Sequence, residues 1–352
     1  MGRLRVSYNV FQGKIRMKIG IIGPPQSGKT SVLKSLLQAD VSGNIGIFKA
    51  VDHRVEMISR AFSSKKTSYP ELTFVDMGHV SDLNKKDLSQ LQDIDLFICV
   101  IGAFFSEDPK KAFESVVTDI IITDLEVAQN RIARIGREGK KSGSEQELRI
   151  LEKYQAVLSE GMLLRKAGLD KEEIKLLSGL VFLSSKPLIL VINISEEDKD
   201  QGTLEKKIEP LEEYACSRDM RCIRFFGKLE SELLELEPGE REKFLKEMES
   251  GGNFRGDVSK LILAELNLIT FFTTGDKESR GWYLRSGLPV IEAAGKIHSD
   301  IRRGFIRAEV VNFEDFSRLG SMHKAREAGV LKVEGKDYIV KDGDIINIRF
   351  NV

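Results

Sequence analysis

The sequence predicts an α/β protein: a parallel sheet with covering helices, an inserted pair of antiparallel helices, and a small α+β module at the C-terminal end. Three observations carry this expectation. From Lys18 onward, β-like runs alternate with helical stretches, the pattern of strands joined by crossover helices in a parallel sheet. Residues 119–180 have no strand signal but repeat apolar side chains at helical spacing. After about residue 267 the texture shifts to alternating strands with Gly-rich joints.

Residues 1–16 lack the apolar core of a secretory signal, and Met17 directly precedes the first clear strand. Met17 is therefore a candidate start, with 1–16 as an N-terminal extension. The expected strands are KIGIIG (18–23), ELTFVDM (71–77), DLFICVIG (95–102), PLILVIN (187–193) and RCIRFFG (221–227). They belong to a body spanning 17–118 and 181–266. Within the insertion at 119–180, Leu125, Ala128, Ile132 and Ile135 form one apolar stripe, and Leu148, Leu151, Gln155, Leu158 and Met162 another. Both stripes read as heptad seams. The break GREGKKSGSEQE (136–147) is rich in Gly, Ser and charge, so two antiparallel helices joined at a solvated tip are expected. Two amphipathic helices laid on the body fit the same pattern. In the module at 267–352, VKDGDII reads as a hairpin, with Asp342-Gly343 as its turn.

The chain has 352 residues, and Lys plus Arg balances Asp plus Glu at 54 each. No global field draws it to DNA or to an anionic membrane. The three cysteines, Cys99, Cys216 and Cys222, have no metal-like spacing and suit a reducing cytoplasm. The most apolar runs, 94–105 and 180–194, are too short or are broken by Lys186-Pro187, so no bilayer span is expected.

The chemistry begins at GPPQSGKT, Gly23 to Thr30, which fits G-x-x-x-x-G-K-[ST] between the run KIGII and the helical SVLKSLLQ. A Gly-rich turn between strand and helix brings successive amides and a helix N-terminus to a phosphate. This identifies a P-loop, with Gly23, Pro25, Gln26, Ser27, Gly28, Lys29, Thr30 and Ser31 as binding candidates. Lys29 would reach the β- and γ-oxygens, and the Thr30 hydroxyl would bind Mg²⁺. Asp76, at the end of the strand in FVDMGHV, is the second metal candidate, acting through water. It joins Lys29 as the catalytic set; a helix-capping Asp is its alternative reading. Where P-loop GTPases show D-x-x-G, this chain has D-x-G-H. Gly78 comes one position early, and His79 stands in the glycine's place. His79 reads as a contact to the γ-phosphate or a water, or as a surface histidine.

With these pieces placed, the chain from Met17 to Val352 resembles the YchF subfamily of Obg-like ATPases. KIGIIGPPQSGKTSVLKSLL is similar to the family's P-loop, and the heptad segment to its antiparallel coiled-coil insertion. LSSKPLILVINISEED is similar to its base-reading strand and loop. The stretches from LITFFTTGDKESRGWYLRSGLPVIEAAGKIHSDIRRGFIRAEVVNFEDF through AREAGVLKVEGKDYIVKDGDIINIRFNV resemble its terminal TGS domain. The resemblance implies a G-domain-like P-loop NTPase with an inserted coiled coil and a β-grasp-like TGS domain.

Base choice turns on NISE, residues 193–196. In GTPases the Asp of N-K-x-D grips two guanine hydrogens, a bidentate contact that fixes the carboxylate closely. Glu196 is one methylene too long for it. Adenine offers no such paired donors, so the Asn193 amide would serve its N6 and N7 edge, with the Ile194 backbone adding a contact. The resemblance agrees, implying ATP preference with some GTP binding. Gly227, Lys228 and Leu229 match the family's second base-side loop, where the backbone and the Lys stem would flank the purine. Glu196 as a plain solvent-facing residue is the other reading.

Three departures from the family concern hydrolysis. QADVSGNIGIF has no metal-shell threonine, the segment after Asp76 is shortened to GHVSDLNKKDLSQLQD, and SEDPKKAFES has no histidine where the family's histidine-bearing loop belongs. Phosphoryl transfer rests on positioning and charge stabilisation, so binding should outlast catalysis. Two readings stand: a slow ATPase whose nucleotide state alters partner binding, and a nucleotide-stabilised interaction module without turnover. They are separated by whether a residue near His79, Asp82 or Glu107 can orient water. The resemblance also implies ribosome or RNA contact through the TGS domain and the coiled coil. Arg280, Trp282, Arg285, Lys296, His298, Arg302, Arg303 and Arg307 could grip phosphates and stack a base, or could form a mixed-charge surface with Trp282 in the core.

Overall fold

The computed structural model describes residues 17–38, 43–80, 88–104, 106–138, 144–168, 170–194, 203–237, 239–240 and 254–351. Their contacts divide the chain into two units. The first comprises Lys18–Gly46 and Phe74–Val258, and the second Ile47–Thr73 and Ser259–Val352. The alternation of strands and helices assigns residues 47–73 to the phosphate-loop body, yet their contacts lie with the C-terminal module.

The first unit is organised by a six-stranded sheet in the order β2-β4-β1-β5-β6-β7. Its strands are β1 (Met17–Ile22), β2 (Ile45–Lys49), β4 (Glu71–Gly78), β5 (Leu96–Gly102), β6 (Leu188–Ile194) and β7 (Arg221–Phe226), while β3 (Thr67–Ser68) belongs to the other sheet. β1 with β5, β5 with β6, and β6 with β7 pair in parallel. Every residue of β5 and β6 is buried, which is why both read as continuous apolar runs rather than alternating ones. The alternation missed the short β2. Helices α1 (Lys29–Leu37), α2 (His53–Ala61) and α3 (Leu88–Gln92) follow β1, β2 and β4 in turn.

The insertion forms α4 (Pro109–Glu138) and α5 (Ser144–Ser159). They meet along their lengths, and the Arg131 guanidinium donates to both carboxylate oxygens of Glu147 at 2.6 and 2.9 Å. α4 starts ten residues before the apolar stripe suggested, and its Phe113, Val116, Val117 and Ile120 share one core cluster with the sheet. On α5 the buried side chains are Ile150, Leu151, Tyr154 and Leu158. Tyr154 takes the seam place read for Gln155, because its ring packs edge-on to Phe182 at 5.3 Å. Met162 is exposed. The chain continues through α6 (Lys171–Leu176), α7 (Thr203–Ser217), α8 (Gly227–Glu235) and α9 (Phe254–Glu265).

The second unit has a sheet in the order β11-β10-β12-β8-β9-β3. It adds β8 (Leu268–Thr273), β9 (Ser279–Arg285), β10 (Phe305–Asn312), β11 (Lys332–Glu334) and β12 (Asp344–Phe350), with α10 (Val290–Ile297), α11 (Ser299–Arg303), α12 (Phe313–Leu319) and α13 (Met322–Glu327). One core cluster joins Val290 and Ala293 of α10 to Phe271, Ala308, Val310 and Ile346. Another joins Val55 and Ile58 of α2 to Phe272, Val311, Phe316 and Ile345. Segment 47–73 is also held by β3 pairing with β9 and by Arg54 Nη1 donating to Asp342 at 2.7 Å. The hairpin reading of VKDGDII is corrected. Asp342-Gly343 does form a turn, but β12 pairs with β10 and β8, and the preceding Ile339 bridges to Pro289.

Candidate functional site

The phosphate loop lies where the motif placed it, between the end of β1 at Ile22 and the start of α1 at Lys29. The first turn of α1 leaves orphan amides over Lys29, Thr30 and Ser31, the groups that meet a phosphate. Lys29 Nζ donates to the carbonyls of Gly23 and Pro24 at 3.0 and 2.7 Å, spanning the loop from its far side. Pro25, Gln26 and Thr30 are exposed, whereas Ser27 is buried.

Asn193, near the end of β6, is 4% exposed, and its Nδ2 donates to the carbonyl of Ser27 at 3.0 Å. Two glycines make room for it. Gly28 has φ +96°, and a Cβ there would lie 2.0 Å from Asn193 Nδ2; a Cβ at Gly227 would lie 2.8 Å from its Oδ1. The phosphate loop, the end of β6 and the start of α8 thus converge on one side chain. The amide nitrogen expected to serve a base is engaged with the loop, leaving Oδ1 as the group toward Gly227. Ile194 is buried within β6 opposite Phe226 rather than lying in a loop. Lys228 is exposed and Leu229 half-buried at the start of α8, and the Ser35 hydroxyl of α1 donates to Glu230. Glu196 and Asp82 lie outside the described residues.

Asp76 is brought next to the loop by backbone bonding at the end of β4. Gly23 N–H donates to the Gly78 carbonyl at 3.2 Å, and Gly78 N–H donates back to Asp76 Oδ1 at 3.1 Å. Oδ2 of Asp76 and the exposed Thr30 hydroxyl fit the hard-oxygen, largely hydrated shell of Mg²⁺. His79 is half-buried, its side chain 17% exposed, and Nδ1 faces Asp119 of α4 at 3.8 Å. Glu107 is exposed.

Two buried groups escaped the sequence reading. Lys186 donates to the carbonyls of Leu91, Gln92 and Ile94, closing the C-terminal end of α3. Asp124 of α4 is fully buried and accepts the backbone N–H groups of Leu183 and Ser184 at 2.7 and 2.8 Å. Only the apolar context of their neighbours could have flagged them.

In the second unit several of the candidate binding residues are paired or stacked within the fold. The Trp282 ring stacks on Phe271 at 6.3 Å, its Nε1 donates to Thr273, and Arg280 lies over its face at 4.2 Å. Arg302 pairs with Glu292 at 2.7 Å and Arg303 with Asp300. His298 caps α11, its Nδ1 accepting from Asp300 N–H. Arg307 is exposed, and Arg285 and Lys296 are half-buried.

Residues 268–351 match the family model YchF-GTPase_C, described as a protein of unknown function (DUF933). The chain is 32% identical to the ribosome-binding ATPase YchF of Bacillus subtilis, covering 95% of this chain and 99% of that one. It is 30% identical, with the same coverage, to the ribosome-binding ATPase YchF of Haemophilus influenzae. Its fold matches the Schizosaccharomyces pombe YchF GTPase with a TM-score of 0.81 at 22% identity, over 95% of this chain and 98% of that one. A GTP-binding protein of Pyrococcus horikoshii matches with a TM-score of 0.60 at 18% identity, over 95% of this chain and the whole of that one.

Proposed function

Since the chain belongs to the YchF family, we propose that it binds ATP with Mg²⁺, with GTP as a weaker second ligand, and hydrolyses it slowly while serving a ribosome-associated role. The observation that supports this most directly is the convergence on Asn193. A side chain that donates to Ser27 and is closed in by Gly28 and Gly227 brings the phosphate-binding and base-side segments together.

Each residue has a physical part. The α1 amides and Lys29 hold the β- and γ-phosphates, and Lys29 exchanges its loop carbonyls for phosphate oxygens. Thr30 and Asp76 would hold Mg²⁺, which supplies charge neutralisation at the transferring phosphoryl group. Asn193 Oδ1 can accept from the adenine N6 amino group, while Gly227 and Lys228 flank the purine. Slow turnover follows from the end of β4. The Gly78 amide is bonded to Asp76, and His79 faces Asp119. That arrangement equally favours the second reading, a nucleotide-stabilised interaction module without turnover.

The relatives from B. subtilis and H. influenzae are named ribosome-binding, and we carry that partner to this chain, through the C-terminal module and the helical insertion. From the same relatives we carry a cytoplasmic place of action; no described helix is long and apolar enough to cross a membrane. Calorimetric titration with non-hydrolysable ATP and GTP analogues, with Mg²⁺ and beside Lys29→Ala, tests the core of the reading. ATP-selective binding that Lys29→Ala loses is expected; no binding to either analogue would refute it. Phosphate release then decides between slow turnover and none.

A further inference from the structure

Gln26 stands in the middle of the phosphate loop with φ +61°, in the left-handed region. A glycine adopts that region freely, whereas a glutamine is strained there. Strain kept at a ligand-binding loop points to work done by the side chain. Its neighbour Ser27 is 3% exposed and turned into the body, while Gln26 is exposed on the solvent side of the loop.

Among the described residues, the groups at the end of β4 that could meet a γ-phosphate are engaged. The Gly78 amide donates to Asp76, and His79 faces Asp119. No threonine occurs between Thr30 and Thr67, and the Thr67 hydroxyl donates to Ser59. A glutamine amide offers two N–H donors at the end of three rotatable bonds, long enough to reach past the loop amides.

We propose that Gln26 supplies a γ-phosphate contact beside that of Lys29 and so sharpens the chain's discrimination between nucleoside triphosphate and diphosphate. This rests on the nucleotide-binding reading above. The side-chain N–H groups donate to a γ-oxygen, a charge-assisted bond present with the triphosphate and absent with the diphosphate.

The test is calorimetric titration of the full chain, wild type and Gln26→Gly, with ADP and with a non-hydrolysable ATP analogue, each with Mg²⁺. Glycine keeps the backbone conformation, relieves its strain and removes the exposed side chain with its amide, so the ligand-free thermal midpoint should be kept or raised. ADP affinity should stay within about twofold, while affinity for the ATP analogue falls about tenfold, the worth of one hydrogen bond to a charged group. Gln26→Glu, which places a carboxylate beside the γ-phosphate, should lower the triphosphate-to-diphosphate ratio further. An unchanged ratio in Gln26→Gly overturns the proposal and leaves nucleotide binding intact. Failure of the wild-type chain to bind either nucleotide overturns both.

Discussion

Asn193 and Gly28 fit together so closely that either can be disturbed through the other. Gly28→Ala would drive a methyl to 2.0 Å from Asn193 Nδ2 at φ +96°, breaking the bond to Ser27 and straining the backbone. We expect a loss of about 2 kcal/mol in a urea melt and at least about a tenfold loss of ATP-analogue affinity by calorimetry. The glycine was legible because the motif is local. Its reason was not, since Asn193 lies far along the chain and only folding brings the two into contact. Asp124 gives a prediction of another kind. Burial pushes its carboxyl up from 3.8 to about 7, while the Ser184 hydroxyl, the Ser184 and Leu183 amides and Lys186 act the other way. Between about pH 4 and 7 the folded chain keeps a proton there that the unfolded chain has released. The contribution to stability is therefore full below about pH 4 and lost as pH rises through about 7. The urea midpoint of the wild type should fall from pH 5 to pH 8 relative to Asp124→Asn, which has no such proton. Parallel midpoints for the two proteins would count against a raised value.

At the scale of elements, α4 and α5 show how far periodicity reaches. A 3.6-residue repeat identifies an amphipathic helix, but its apolar arc is wide enough to be placed in more than one frame. The frame that included Gln155 gives way to one with Tyr154 because Phe182, from a distant segment, waits for its ring. Leu151 is fully buried in that interface, so Leu151→Ala should cost about 2–5 kcal/mol. Hydrogen exchange should show the loss spread over α4 and α5, with β1 protected as before; loss confined to α5 would mean that the helices are not coupled. The Asp342-Gly343 turn carries the same lesson in a sheet. Turn chemistry is local and was readable, but the partners of β12, namely β10 and β8, were fixed by earlier chain.

Across the whole molecule, the phosphate-loop body and the C-terminal module were both readable, because each has its own strong local pattern. The membership of residues 47–73 was not, because a nine-residue amphipathic helix such as α2 says only that one face is buried, not against what. Ile58 is fully buried among Phe272, Phe316 and Ile345. Ile58→Asp should therefore unfold the second unit, although it lies more than 200 residues from β8 in sequence. The single tryptophan, Trp282, reports on that unit directly. Its fluorescence should shift to the red at lower urea than in the wild type; an unchanged transition would show that the unit stands without α2.

Building one unit from two separated stretches imposes an order on biosynthesis. Residues 47–73 are translated long before Ser259. At about 5–20 residues per second, the wait for their partner strands is on the order of ten seconds. During that interval Val55, Ile58 and Phe62 lack the strands and helices that cover them in the finished chain. The nascent polypeptide thus carries an apolar segment that can be buried only once the strands from β8 onward have emerged, a natural substrate for chaperones that bind emerging chains.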